Sequence, residues 1–223
     1  MNIITVNGKD GGLIKNEIFK MISDLESKLK IRLTEPIIVN LHLTRADYEK
    51  VLRKNTQEWE VGNTSKNNVI DILHPDSFSD FSSHNKEEFY PILKHELAHI
   101  YIRKLSENKT VPMWLNEGLA MCIAGQVPKY QNSEPTYVER RYLEKLSTQY
   151  GWDKHAHYSG YKYSCLFVNY LINKYSISLV IGLIKSSKTI FDVNSFDNSF
   201  SKIYGLSLEK AENSFIEATN NIL

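Results

Sequence analysis

Two histidines four residues apart enclose a glutamate in the segment His95-Glu96-Leu97-Ala98-His99, and the surrounding residues have the apolar spacing of an amphipathic helix. Side chains four residues apart lie on the same face of a helix, so the two imidazoles could bind one metal ion. The Glu96 carboxylate projects from the adjacent stripe, where it could accept a proton from a water without binding the metal. The pattern predicts a zinc site, and a complete ligand set is needed to support it because five residues can match by chance.

A catalytic zinc needs a third protein ligand and an open fourth position. A histidine six residues after His99 would be typical of one class of zinc enzymes, but that position is Leu105. Downstream, Glu117 lies in the segment 114–120, W-L-N-E-G-L-A, a second predicted helix with Pro112 near its first turn. A carboxylate beside two imidazoles suits zinc, so Glu117 is the predicted third ligand.

The motifs H-E-L-A-H and W-L-N-E-G-L-A together resemble the gluzincin metallopeptidases of the peptidase MA-like zincin clan. The resemblance is greatest to the aminopeptidase N-like branch and the compact minigluzincins. The seventeen residues 100–116 separate His99 from Glu117, one fewer than is usual in that branch. We place the deletion in the polar loop 106–110, where a connection tolerates changes of length. Glu107 in this loop is the alternative third ligand, although it lacks the N-E-G context.

This resemblance implies an α+β zincin fold of the thermolysin-like type, with a small mixed sheet and an active-site helix followed by a mainly helical lobe. It implies a single catalytic domain over residues 1–223, with an α/β lobe at about 1–105 and a helical lobe at about 106–223. The ligand set implied is one Zn²⁺ per chain, held by His95, His99 and Glu117. Glu96 is implied as the general base of hydrolysis.

The gluzincins also carry a tyrosine at the head of a later helix, and its hydroxyl stabilises the oxyanion of the transition state. The segment 161–171 resembles that helix, so Tyr161 is the implied donor, with Tyr158 and Tyr163 as alternatives. Asn116 is expected beside the ligands. His155 and His157 lie on a polar stretch, where histidines more often face solvent than reacting groups.

Hydrophobic periodicity predicts the remaining elements. A helix is expected over 13–30, strands over 37–43 and 69–73, and the active-site helix over about 88–104, with its start left open by Pro91. Further helices are expected at about 112–124, 136–149, 161–174, 177–187 and 207–221. His42 and His74, in or beside the strands, are interpreted as structural.

A peptide or protein is the expected substrate. The segment 59–64 is the candidate edge strand that would pair with an extended peptide. The aminopeptidase branch carries a G-x-M-E-N segment whose glutamate binds the free amine, whereas residues 62–67 here read G-N-T-S-K-N. Endopeptidase cleavage is therefore favoured, although Glu60 could replace the missing anchor. The alternatives are an aminopeptidase, a hydrolase of non-peptide amides or esters, and a binding protein on a catalytically retired zincin fold.

Composition excludes other classes. The formal net charge is +1 and the pI is about 7.7, which gives no basic surface for nucleic acid. The N-terminus lacks the features of a secretory signal, and the longest apolar run, 179–184, is too short to span a bilayer. We expect a soluble protein with no membrane span, with a cytoplasmic location favoured over a secreted mature form. The two cysteines, Cys122 and Cys165, are predicted to be free thiols.

Overall fold

A computed structural model describes residues 4–65, 67–132, 141–188 and 192–219, without the side chains of His157 and Tyr158. The chain divides into two compact units, Met1–Tyr101 and Ile102–Leu223. The first unit combines strands and helices, and the described part of the second is mainly helical. The predicted α+β class is confirmed.

The first unit contains a four-stranded mixed sheet. Its strands are β1 (Ile4–Asn7), β2 (Ile37–His42), β3 (Gly62–Thr64) and β4 (Val69–Leu73). They lie in the order β1-β2-β4-β3, with β1, β2 and β4 parallel and β3 antiparallel to β4. The strands predicted over 37–43 and 69–73 are confirmed, and the segment 59–64 supplies the predicted edge strand in its last three residues. The sequence did not predict β1.

Four α-helices begin in the described part of the first unit, and the first two pack against strands of the sheet. They are α1 (Gly11–Leu29), α2 (Arg45–Leu52), α3 (Phe78–Phe81) and α4 (Phe89–Leu105). The predicted stripe on α1 is buried, as expected for an amphipathic helix: Ile14, Ile18, Ile22, Leu25 and Leu29. The sequence predicted α1 and α4, but not α2 or α3.

The start of α4 depends on a capping box rather than on Pro91. The Asn85 side chain accepts the backbone N–H of Glu88 at 3.2 Å, and the Glu88 carboxylate accepts the backbone N–H of Asn85 at 3.3 Å. A 3₁₀ turn over Lys86–Glu88 leads directly into α4. Pro91 then lies in the first turn, where backbone N–H groups lack helical partners, so it is tolerated. The boundary predicted near residue 88 is confirmed.

Eight helices follow in the described part of the second unit. They are α5 (Met113–Ala124), α6 (Val127–Gln131), α7 (Tyr142–Lys145), α8 (Gln149–His155), α9 (His157–Lys174), α10 (Ile177–Lys185), α11 (Val193–Tyr204) and α12 (Leu208–Thr219). The single helix predicted over 136–149 is wrong in its described part, since α7 ends at Lys145. Thr148 is extended and its hydroxyl accepts the N–H of Gly151 at 3.0 Å, which begins a new helix there. Residues 136–140 lie outside the described residues, and α6, α8 and α11 were not predicted.

Helices α5 and α9 pack closely because Gly118 has no side chain. A Cβ at this position would lie 2.6 Å from Val168 Cγ2 and would also meet the carbonyl oxygen of Ser164. Cys122 of α5 and Cys165 of α9 are free, as predicted. Among the described helices, none is by itself long and apolar enough to cross a membrane; α9 from Ser159 together with α10 passes on length and composition, with a bend of 115° between them.

Candidate metal centre and its surroundings

The two imidazoles of α4 converge. The Nε2 atoms of His95 and His99 lie 2.9 Å apart, and the rings meet edge to face with their centroids 4.6 Å apart. In a tetrahedral site with Zn–N bonds of 2.0–2.1 Å, two ligand nitrogens would be about 3.3 Å apart. The pair therefore fits a zinc ion with a small adjustment of the two side chains.

Glu96 of α4 faces the edge strand β3. Its side chain is buried, with 8% of the residue exposed. The Thr64 hydroxyl is 2.6 Å from Glu96 Oε2 and 3.0 Å from the Glu96 backbone carbonyl oxygen. Gly62 of the same strand faces the carboxylate so closely that a Cβ there would lie 3.1 Å from Oε1. The strand thus contacts both carboxylate oxygens.

The neighbourhood of Glu96 carries several negative charges. Burial raises the pKa of the Tyr48 hydroxyl, and the charges of Glu96, Glu60 and Asp71 raise it further. Tyr48 is fully buried, so its phenol stays protonated at any physiological pH. Because Tyr48 and Glu96 are both buried, little water is present to screen the electrostatic interactions of the Glu96 carboxylate.

Glu117, the predicted third ligand, is buried on α5, with 8% of the residue exposed. Glu107, the alternative, is exposed in the turn after α4 and forms an ion pair with Lys109 at 2.9 Å, which lowers the pKa of its carboxyl. Glu107 is therefore an exposed residue whose carboxylate already pairs with Lys109.

A second group of potential ligands is Asp10, His74 and Asp76. Here the protein already supplies the counter-charges, because Lys9 pairs with Asp76 at 2.8 Å and Lys86 pairs with its other oxygen. These two hydrogen bonds hold the pKa of Asp76 well below its usual range. His74 Nδ1 accepts the backbone N–H of Asp76 at 3.2 Å, which places the ring proton of a neutral imidazole on Nε2. The group forms an ion-pair network, which suits the structural interpretation of His74.

The predicted tyrosines have different surroundings. Tyr161 is half-buried on α9 and packs edge to face on Trp152, with centroids 4.8 Å apart. Tyr163 is fully buried and its hydroxyl donates to Glu212 at 3.0 Å. The Tyr158 side chain lies outside the described residues. The Tyr163 hydroxyl is therefore committed to a structural hydrogen bond, and Tyr161 remains the predicted donor.

The other candidate residues have defined positions. His42 Nε2 lies 2.9 Å from Oδ1 of the buried Asp71, a pairing that suits its structural interpretation. Glu60 forms an ion pair with Lys54 at 2.9 Å. Asn116 and His155 are half-buried, and the His157 side chain is outside the described residues. No sequence motif identified Thr64 or Gly62 as neighbours of Glu96, although both lie in the segment predicted as the edge strand.

The family model of the peptidase MA superfamily matches residues 20–220 of this chain. The match covers the first unit from the middle of α1 onward and nearly all of the second unit. The chain therefore belongs to the peptidase MA superfamily, which indicates a peptidase, of a kind that is typically metal-dependent. A comparison with curated proteins finds no match.

Proposed function

We propose that this protein is a zinc-dependent metallopeptidase with a zincin fold that hydrolyses internal peptide bonds. The observation that carries the proposal is the convergence of His95 and His99 on α4, with the buried carboxylate of Glu96 between them in sequence. Membership of the peptidase MA superfamily supports the reaction class. The three-ligand set is completed by Glu117, and its two imidazoles and one carboxylate match the donors of catalytic zinc sites.

When bound, zinc would polarise the carbonyl of the substrate and make a water more acidic. Glu96 then acts as the general base, taking the proton of the attacking water and delivering it to the departing amine. The Tyr161 hydroxyl donates a hydrogen bond to the developing oxyanion, a contribution worth about 3 kcal/mol for a well-placed donor. Asn116 holds neighbouring groups in place rather than taking part in the reaction.

The substrate is proposed to be an extended peptide that pairs with β3. This strand is at an edge of the sheet, so its outer backbone groups can pair with an added strand. The residues that follow Gly62 lack the amine-binding glutamate of the aminopeptidase branch. Glu60, its potential replacement, already pairs with Lys54 and accepts the Gln57 N–H at 3.0 Å. Both observations favour cleavage within a chain over trimming from its N-terminus.

The test combines metal analysis with digestion of a random peptide library by wild-type and Glu96→Gln protein. We expect about one zinc per chain in both proteins and cleavage by the wild type alone, because the variant keeps the ligands and loses the base. Cleavage sites within the peptides would support an endopeptidase, and removal of single N-terminal residues would support an aminopeptidase. Equal activity of the two proteins would refute the proposed role of Glu96.

Inactivity of both zinc-loaded proteins on peptides would refute the proposed peptidase. Amide and ester libraries without a peptide bond then provide the next comparison. A retired, binding-only fold would tolerate Glu96→Gln without loss of function, since ligand binding does not need the base.

A further inference from the structure

We propose that Thr64 and Gly62 of β3 form a seat for the Glu96 carboxylate, and that Thr64 is the positioning residue of the general base. The proposal deepens the proposed function and rests on it. It assigns a role to two residues that belong to neither signature motif. The edge strand would then bind the peptide with its outer backbone and hold the base with its side chains.

The hydroxyl of Thr64 makes the directed contact. It has one proton and two acceptors on Glu96, the carboxylate Oε2 at 2.6 Å and the backbone carbonyl oxygen at 3.0 Å. The shorter contact lies in the range of a charge-assisted O–H···O⁻ bond. The carboxylate contact selects one side-chain conformation of Glu96, and the carbonyl contact ties β3 to α4 at the same residue.

Gly62 leaves room for the second oxygen. Residues two apart in a strand face the same side, so Gly62 and Thr64 both face Glu96. A Cβ at Gly62 would lie 3.0 Å from Glu96 Cγ and 3.1 Å from Oε1, which is closer than side-chain carbons normally pack. With glycine there, Thr64 holds Oε2 while Oε1 stays uncrowded. Oε1 is then the oxygen available to the attacking water.

The strand is firmly held where the seat lies. Gly62 and Thr64 pair with Ile72 and Ile70 of β4, and both isoleucines are fully buried. Backbone hydrogen bonds continue the pairing on either side, from Ser65 to Val69 at 2.8 Å and from Leu73 to Val61 at 2.9 Å. A donor on such a strand can hold a reacting group within the small tolerance that proton transfer needs.

The experiment compares Thr64→Val, which keeps the shape and removes the hydroxyl, with Thr64→Ser, which keeps the hydroxyl. Thr5→Val makes the same exchange at an exposed position of β1, so it controls for the general effect of replacing a threonine by valine in a strand. Activity is measured on a fluorescence-quenched version of a peptide that the wild type cleaves. We expect Thr64→Val to lower kcat about 10- to 100-fold with KM changed less than about threefold, and Thr64→Ser and Thr5→Val to stay near wild type.

A second readout does not depend on activity. Urea unfolding of EDTA-treated protein is measured for the wild type, Thr64→Val, Glu96→Ala and the double variant. If the hydroxyl holds the carboxylate, the two single effects on the unfolding equilibrium constant will be non-additive by about tenfold, as for a hydrogen bond to a charged acceptor.

Additive effects would overturn the seat, whatever the activity. A Thr64→Ser variant that loses as much kcat as Thr64→Val, or a Thr64→Val variant with wild-type kcat, would overturn the positioning role. A wild-type protein that cleaves no peptide refutes the proposed function, and the coupling between positions 64 and 96 alone then decides whether the seat exists.

Discussion

Each of the two units contains a buried glutamate that accepts a hydroxyl hydrogen bond, and the two differ in what else surrounds the carboxylate. Glu212 on α12 is 2% exposed, and its Oε1 accepts both the Leu143 backbone N–H and the Tyr163 hydroxyl at 3.0 Å. Burial raises the pKa of Glu212, and these hydrogen bonds only partly offset the effect. Glu96 instead has Thr64 at one oxygen and the bare backbone of Gly62 beside the other.

The difference fits a structural role for Glu212 and the catalytic role proposed for Glu96. Glu212 joins α12 to α9 and to the residue Leu143 of α7, so its function is to connect three helices. In the proposed mechanism Glu96 must keep an oxygen accessible for a proton while its orientation is fixed. Burial and hydrogen bonding alone do not identify a general base, because Glu212 has both; the proposal for Glu96 rests on its position between His95 and His99 in sequence.

The largest expected effect comes from making the same exchange at both glutamates. Glu96→Gln should lower kcat by about 10²- to 10⁴-fold, because the amide cannot accept the proton. Glu212→Gln keeps an acceptor for both hydrogen bonds and should leave kcat within about twofold of wild type. Steady-state kinetics on one cleaved peptide make the comparison. Similar losses in both variants would show that Glu96 acts through stability.

Removal of the third ligand should act on the metal itself. We expect Glu117→Ala to weaken zinc binding by at least about 100-fold, since two imidazoles alone hold the ion poorly. Glu212→Ala is the matched loss of a buried carboxylate and should leave zinc affinity unchanged. Competition with a zinc chelator measures both. A Glu117→Ala protein with wild-type zinc affinity would remove Glu117 from the ligand set and return Glu107 to consideration.

Two tyrosines of α9 should separate activity from stability. Tyr161→Phe is expected to lower kcat by about 10- to 100-fold without loss of stability, because a transition-state donor is removed. Tyr163→Phe removes a hydrogen bond to buried Glu212 and should cost about 1–3 kcal/mol of unfolding free energy, with kcat retained. Peptide kinetics and urea unfolding are the measurements. If Tyr163→Phe lowered kcat and Tyr161→Phe lowered only the unfolding free energy, the roles assigned to the two tyrosines would be wrong.

The smallest effect is a dependence of stability on pH. The folded-state pKa of Glu212 is raised from 4.5, so the unfolded state loses this proton first as pH rises. The stabilisation from the protonated carboxyl is complete below 4.5 and is lost as pH rises through the folded pKa. Glu212→Gln should therefore gain stability relative to wild type as pH rises from 4.5 through the raised folded pKa.

Urea unfolding of wild type and Glu212→Gln across that range checks this effect. Glu209→Gln, at an exposed position of α12, controls for the loss of a carboxylate from the same helix. A difference between wild type and Glu212→Gln that stays constant with pH would contradict the raised pKa.

The sequence predicted the elements whose signal is local and periodic. The stripe of α1, the alternation of β2 and the spacing of His95 and His99 repeat within one element, so neighbouring residues carry the information. The prediction was wrong for the helix over 136–149, because the Thr148 cap outweighed the helical pattern. β1 has only four residues, which is too short for a period to be recognised.

The roles of Thr64 and Gly62 could not be predicted in the same way. Thr64 and Glu96 are 32 residues apart, and no local pattern links them. Their contact requires that β3 pairs with β4 in one register, since a shift by one residue would turn Thr64 to the other face of the sheet.

By itself, the sequence determined which chemical groups are available. Helical periodicity places the imidazoles of His95 and His99 on one face of α4, and each of the two motifs contains one glutamate, Glu96 or Glu117. Only the tertiary structure decided how Glu96 is held, with the Thr64 hydroxyl 2.6 Å from one carboxylate oxygen and Gly62 beside the other. The physical reason is that ligand spacing along a helix is a property of the local backbone, whereas the orientation of a side chain depends on strands that pair and pack from distant parts of the chain.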